Sequence, residues 1–252
     1  MQINDTQADH FHRNGFFLVE TPFPDAQMQE IDRLFRETEE AWEAADWDPG
    51  FNSSAYRFFM IGEPAFQLAE HPDVLNAARE LLNTDKIHIG ACGLGDSAKR
   101  PEGSGRHQVY WHADGSPEVK QVSIRTALDR HDPTNGPLRV LPGTQVRPGA
   151  EMKEELLQLE LASGQHDTLP TELYAKHPHE VELILDPRWT LVWTPCCWHA
   201  TGKKTGAGPR RAICWNYYPQ GGRHRDRDAL KSILDGVWQN WTLDRKTLWG
   251  LE

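Results

Sequence analysis

The chain has no long hydrophobic run. Nothing in its 252 residues approaches the roughly 18 consecutive apolar positions of a membrane span, and its first 25 residues lack the apolar stretch of an export signal. A cytoplasmic protein with no membrane partner is expected. Only four cysteines are present, Cys92, Cys196, Cys197 and Cys214, with no C-x-x-C spacing and with two of them adjacent. That pattern speaks against a zinc ribbon and a disulfide scaffold, and reduced thiols are expected. Basic excess is missing as well: 27 Lys and Arg stand against 37 Asp and Glu, a formal charge of −10. A broad nucleic-acid surface is excluded, so any basic function must be local. No internal repeat, low-complexity tract or Gly/Ser-rich linker divides the chain, and a single domain over 1–252 is expected.

What is present divides into a helical N-terminal part (about 1–85), a strand-rich core (about 86–218) and a C-terminal helix (about 225–242). Asp5 and Thr6 can cap a first helix ending near Asn14-Gly15, followed by the apolar strand Phe16-Phe17-Leu18-Val19. Asp25 opens a second helix, in which Ile31, Leu34, Phe35, Thr38 and Trp42 recur at three- and four-residue spacing. A third amphipathic helix covers 72–83. Beyond it, short apolar runs between Gly, Pro, Asn and Asp predict strands at 86–91, 107–114, 119–128, 138–141, 181–185, 189–193 and 209–218. Helices are expected at 151–162 and 227–241. The fold class implied is mainly β with flanking helices, a double-sheet jelly roll.

Chemistry concentrates in Tyr110-Trp111-His112-Ala113-Asp114. On a strand, residues two apart share a face, so His112 and Asp114 point the same way. Alone, H-x-D is a weak signal, and its ordinary reading is a histidine and an aspartate hydrogen-bonded at a strand end. His199 in Trp198-His199-Ala200-Thr201-Gly202 is the candidate third ligand, and two histidines plus one carboxylate are the donor set of non-haem iron(II) oxygenases.

Between these elements lies Asn135-Gly136-Pro137-Leu138-Arg139-Val140-Leu141-Pro142-Gly143-Thr144, and eleven residues after His199 comes Arg210 in Pro209-Arg210-Arg211-Ala212-Ile213. The order of elements resembles the phytanoyl-CoA dioxygenase family, from about Asp9-His10-Phe11 to about Tyr218. The resemblance implies a double-stranded β-helix, a cupin-like jelly roll, using iron(II), 2-oxoglutarate as cosubstrate and molecular oxygen. It implies that His112, Asp114 and His199 ligate the metal, that Arg210 pairs with the distal carboxylate of 2-oxoglutarate, and that Thr201 places a hydroxyl beside it. The planar guanidinium fork suits a carboxylate, in independent agreement. Halogenating relatives replace the carboxylate ligand by Ala or Gly, so Asp114 implies oxidation at a C–H bond, with hydroxylation as the default.

Two positions near the site depart from the family pattern or extend it. Thr126 falls where the family strand passes the cosubstrate. Arg125 stands where an aromatic residue is common, and two readings are open: it reaches inward to an anionic substrate or cosubstrate, or it forms an outer salt bridge. Strand parity puts Arg210, Ala212, Cys214 and Asn216 on one face and Arg211 on the other. Trp111, Trp193 and Trp215 flank the site in sequence and are candidates for its walls. His177 and His179 read as a solvated loop, and 147–179 as a mobile cover over the mouth. Lys203, Lys204, Arg210, Arg211, Arg223, Arg225 and Arg227 make the segment after His199 basic, able to steer an anionic cosubstrate or to serve as ordinary surface charge. The expected activity is a dioxygenase oxidising a small organic metabolite. The alternatives are a cupin-like metalloenzyme without 2-oxoglutarate, disfavoured because the candidate ligand motif is H-x-D rather than H-x-H with a later glutamate, and a non-catalytic jelly-roll binding protein.

Overall fold

Helix α1 (Asp5–Asn14) is capped by Asn4, one residue before the expected caps. Asn4 Oδ1 accepts from the Gln7 backbone N–H at 2.9 Å while Gln7 Oε1 accepts from Asn4 N at 3.0 Å, a reciprocal capping box. Gly15, at φ 87°, ends the helix as expected, and a Cβ there would lie 2.1 Å from Cys197 Sγ. The computed structural model describes residues 1–44, 53–96, 108–163, 170–206 and 208–252.

Helix α2 (Asp25–Ala44) buries Ile31 and Phe35, as its periodicity predicts. Two helices follow that the sequence did not announce, α3 (Ser53–Ile61) and α4 (Glu63–Ala69). Ala55, Tyr56, Phe58, Phe59 and Ile61 are all buried, so α3 carries no polar stripe from which helical periodicity can be read. Helix α5 (Pro72–Leu82) matches expectation and ends at Asn83 in the left-handed region.

Two antiparallel sheets face each other. The larger contains β1 (Phe16–Glu20), β2 (Ile87–Asp96), β3 (Val122–Ala127), β6 (Trp189–Trp193) and β8 (Arg211–Pro219), in the order β1-β6-β3-β8-β2. The smaller contains β4 (Leu138–Val140), β5 (Val181–Leu183) and β7 (His199–Thr201), in the order β5-β4-β7. Alternation along β3 and β8 assigns the faces. Ile124, Ile213, Trp215 and Tyr217 join Phe35, Phe58 and Phe66 in the core under the helices, while Arg125, Cys214 and Asn216 line the space between the sheets. Leu138, Leu183, Leu191 and Trp193 fill part of that interior.

This is the expected cupin-like jelly roll, but the chain is 39% helical and 22% strand, so "mainly β" is corrected. The reason is physical: the outer face of the larger sheet is apolar, and α2 to α5 supply the layer that buries it. Two further expectations change. Among the described residues, no strand spans 108–114; His112 alone forms a bridge, with His199, and residue 107 lies outside the described residues. The C-terminal helix breaks into α7 (Arg227–Leu234), a 3₁₀ turn at Val237–Asn240 and α8 (Leu243–Leu248), because Asp235 (φ 41°) and Gly236 (φ 82°) both leave the helical region.

Where the stretch 147–179 is described, it packs against the body of the protein. Helix α6 (Gly149–Ala162) packs Met152 and Leu156 against Trp111, Leu141 and Trp198. Its Glu160 carboxylate accepts from the backbone N–H groups of Tyr174 and Ala175, at 2.5 and 2.6 Å. Arg139 forms a buried bidentate pair with Glu180 (2.6 and 3.0 Å), donates to the Tyr174 and Ala175 carbonyls, and lies 4.6 Å from the Trp111 ring centroid. His177, expected in a solvated loop, is buried and sits 2.7 Å from Glu155. These contacts pin 170–180 to the body of the protein. Residues 164–169 lie outside the described residues.

Candidate metal centre

The short bridge between His112 and the start of β7 sets the two histidines side by side. Each backbone N–H donates to the other's carbonyl, at 2.9 and 2.8 Å. Asp114 N donates to Pro195 O at 2.9 Å, which fixes the third residue against the same connection. Each imidazole is then oriented by the carbonyl two residues upstream: His112 Nδ1 lies 2.8 Å from Tyr110 O and His199 Nδ1 lies 2.8 Å from Cys197 O. A carbonyl only accepts, so Nδ1 carries the proton in both rings and Nε2 carries the lone pair.

Both Nε2 atoms face Asp114. Its Oδ1 is 3.8 Å from His112 Nε2 and its Oδ2 is 3.8 Å from His199 Nε2. These distances are too long for hydrogen bonds. All three donor atoms lie within 4.8 Å of one another, the spacing of groups that can share one ion about 2.1 Å from each. Burial, followed by the neighbouring His112, holds His199 down at about 4, so its lone pair is free at neutral pH. His199 is 7% exposed against 31% and 53% for His112 and Asp114, so the centre opens on the H-x-D side. Two locked imidazoles and one carboxylate fit iron(II) with open positions.

A cavity of about 250 Å³ adjoins these donors. Arg210 and Thr201 line it, as expected; Arg210 is buried, and the Thr201 hydroxyl accepts from Val109 N at 2.7 Å. Arg125 lines it too, so it faces the cavity and not the outer side of the sheet. Thr126 does not. It is fully buried on the opposite face of β3, with Oγ1 2.9 Å from Thr190 Oγ1, because consecutive strand residues point to opposite sides. Arg211 points away as parity requires, pairing with Asp129 at 2.8 and 2.9 Å and with Asp32 at 2.7 Å. Of the three tryptophans, Trp193 walls the cavity, Trp215 lies in the helical core, and Trp111 donates to Ala175 O beneath the 170–180 segment.

Arg225 also lines the cavity, and the sequence marked it only as one of several basic residues. Its placement depends on contacts more than 130 residues apart. The segment 223–226 runs along the outer edge of β2: His88 Nε2 donates to Arg223 O (3.0 Å), Arg225 N donates to Gly90 O (2.7 Å), and Cys92 N donates to Asp226 Oδ2 (2.9 Å). Gly90 sits at an irregularity in the β2–β8 register, where a Cβ would lie 2.2 Å from Arg223 O. No local pattern announces this arrangement.

A jelly roll that holds two histidines and a carboxylate at one end of its interior defines a class of metalloprotein, and the comparisons agree. The phytanoyl-CoA dioxygenase (PhyH) family profile matches residues 11–212. The sequence is 28% identical over 158 residues to an ectoine dioxygenase of Bordetella bronchiseptica, covering 56% of this chain and 49% of that protein. It is 27% identical over 177 residues to the ectoine dioxygenase of Streptomyces avermitilis, covering 64% and 57%. The chain thus spans about half the length of the curated relatives it matches. Similar folds occur in EctD from S. alaskensis with bound Fe (TM-score 0.64, 20% identity, 88% of this chain and 79% of that one). HygX from Streptomyces hygroscopicus, with nickel and 2-oxoglutarate bound, is also similar (TM-score 0.63, 14% identity, 88% and 90%). The chain belongs to the phytanoyl-CoA dioxygenase family.

Proposed function

We propose that this chain is an iron(II)- and 2-oxoglutarate-dependent dioxygenase that hydroxylates a small organic molecule. The observation that carries the reading is the convergence of His112, Asp114 and His199 donor atoms within 4.8 Å, beside a cavity that also receives Arg210. When bound, iron(II) and 2-oxoglutarate would let molecular oxygen be reduced at the site, with 2-oxoglutarate giving up two electrons as it goes to succinate and carbon dioxide, and the substrate C–H bond giving the other two.

The protein's own part is positional. His112 and His199 through Nε2, and Asp114 through its carboxylate, would hold the metal, three protein donors that would leave coordination positions for the cosubstrate and oxygen. Arg210 offers its fork to the distal carboxylate of the cosubstrate, with the Thr201 hydroxyl beside it. Trp193 and Leu138 give the cavity apolar walls that exclude water and strengthen these charge contacts. A carboxylate at 114, where halogenating relatives carry Ala or Gly, favours oxygenation.

Anaerobic addition of iron(II) and 2-oxoglutarate tests the reading. A weak visible charge-transfer band is expected, lost in Asp114→Ala and shifted to higher 2-oxoglutarate concentration in Arg210→Ala. No band in folded wild-type protein overturns it.

A further inference from the structure

We propose that the cavity contains an oxyanion subsite for the substrate, formed by Arg225 and Arg125, so that the molecule oxidised is a small carboxylate or phosphate monoester. The proposal rests on the functional reading above, since it assigns Arg210 to the cosubstrate.

Charge is the first argument. In a chain of formal charge −10, the described cavity lining has three guanidiniums, Arg125, Arg210 and Arg225, against one acid, Asp114. A divalent metal and a dianionic cosubstrate cancel, and Asp114 offsets Arg210. Asp226 balances Arg225, which leaves the charge of Arg125 uncompensated. Its Nε is buried and makes no hydrogen bond among the described residues. A buried guanidinium N–H without an acceptor is costly, and a ligand oxygen removes that cost.

Construction is the second. Arg225 is held rather than loose: Nε and Nη2 bind the buried Asp226 carboxylate at 2.8 and 3.0 Å, and Nη2 also reaches Cys92 O at 3.3 Å. None of these bonds uses Nη1. Asp226 is itself fixed by Cys92 N, and the backbone of Arg225 by Gly90 O. A side chain so restrained meets a ligand with little further loss of rotamer freedom.

Position is the third. Cys92 pairs with Trp215 and Arg125 pairs with Cys214, whereas Arg210 precedes β8. The Arg125 and Arg225 anchors are therefore level with residues 214–215, roughly 13–17 Å along the strand from Arg210 at about 3.3 Å per residue. The backbone attachments of Arg210 and Arg225 thus lie at separate levels of one cavity, and Arg125 lines the wall they share. The Arg210 level takes the cosubstrate, and the Arg225 level takes a second anion.

The test uses wild-type protein loaded anaerobically with iron(II) and 2-oxoglutarate, with butyrate, butyl phosphate and butyramide as size-matched probes, read by perturbation of the charge-transfer band and by thermal shift. Butyrate, butyl phosphate or both are expected to bind, and butyramide is not; the preferred oxyanion separates carboxylate from phosphate. Arg225→Gln and Arg125→Gln should each weaken that binding tenfold or more while holding 2-oxoglutarate affinity within about twofold. Arg225→Lys keeps a charge beside Asp226 and serves as the folding control, with binding still reduced because the fork is lost. Equal response to butyramide, no response to either oxyanion, or wild-type binding in Arg225→Gln overturns the proposal. Loss of 2-oxoglutarate affinity in Arg125→Gln overturns the share assigned to Arg125. Thermal shifts repeated without metal or cosubstrate keep this result separate from the presence or absence of the band.

Discussion

His112 and His199 hold each other by both backbone hydrogen bonds, and each ring takes its orientation from a carbonyl two residues before it. Neither restraint involves a metal, so the two nitrogen donors are set by the fold itself. Preorganisation of this kind lowers the cost of loading the site.

Metal addition should therefore stabilise the protein without refolding it. Iron(II) at 100 times its Kd is expected to add about 2.7 kcal/mol, seen as a rise in Tm that a chelator reverses. Asp114→Ala should abolish the rise while leaving the far-UV spectrum of the metal-free protein intact. A Tm indifferent to iron(II) in the wild type counts against the centre.

The Arg139–Glu180 pair gives a stability prediction. Both side chains are buried, so Arg139→Met strands Glu180 and should cost roughly 3–5 kcal/mol. Adding Glu180→Leu should return most of it. Denaturant midpoints give the energies, and proteolysis within 170–180 should rise in the single variant alone.

Acid should weaken the fold earlier than carboxylates alone require. Burial, with Arg125 and Arg210 adding their repulsion, holds His131 at about 3 against an ordinary value of 6.5. The folded state keeps it neutral while the unfolded chain takes up the proton. Its contribution is thus complete above pH 6.5 and is lost as pH falls from 6.5 toward 3, at up to about 1.4 kcal/mol per pH unit. His131→Gln should flatten the stability profile of metal-free protein in that window, and an unchanged slope would contradict the assignment.

The thiols should be unreactive while the protein is folded. Burial pushes Cys197 up to about 12, and Cys92 and Cys214 are raised by the same cause. The thiolate is the reactive species, so iodoacetamide at pH 8 should label these positions far more slowly than in urea. Mass mapping that finds Cys197 alkylated at equal rates in both states would falsify this.

The grouping of His112, Asp114 and His199 was legible only through the order of motifs that resembles the family, since H-x-D alone is an ordinary strand-end pair. Their support was not: the sequence suggested a regular strand at 107–114, whereas His112 is held by one bridge to a three-residue strand too short to show periodicity. Arg125 and Thr126 differ by a single step along β3, and parity reverses their roles once the inward phase is known. Helix α3 was missed because it is buried on nearly every side. Arg225 depends on a bulge at Gly90 and a carboxylate at Asp226, contacts that no local window contains.

The edge of β2 has one more role. It is the last strand of the larger sheet, and its outward groups at Gly90 and Cys92 are already bonded to 223–226. An uncovered edge is a template for strand addition by another chain and so for aggregation. The segment that carries Arg225 thus also acts as a guard rail for solubility, and changes there carry a colloidal risk as well as a chemical one.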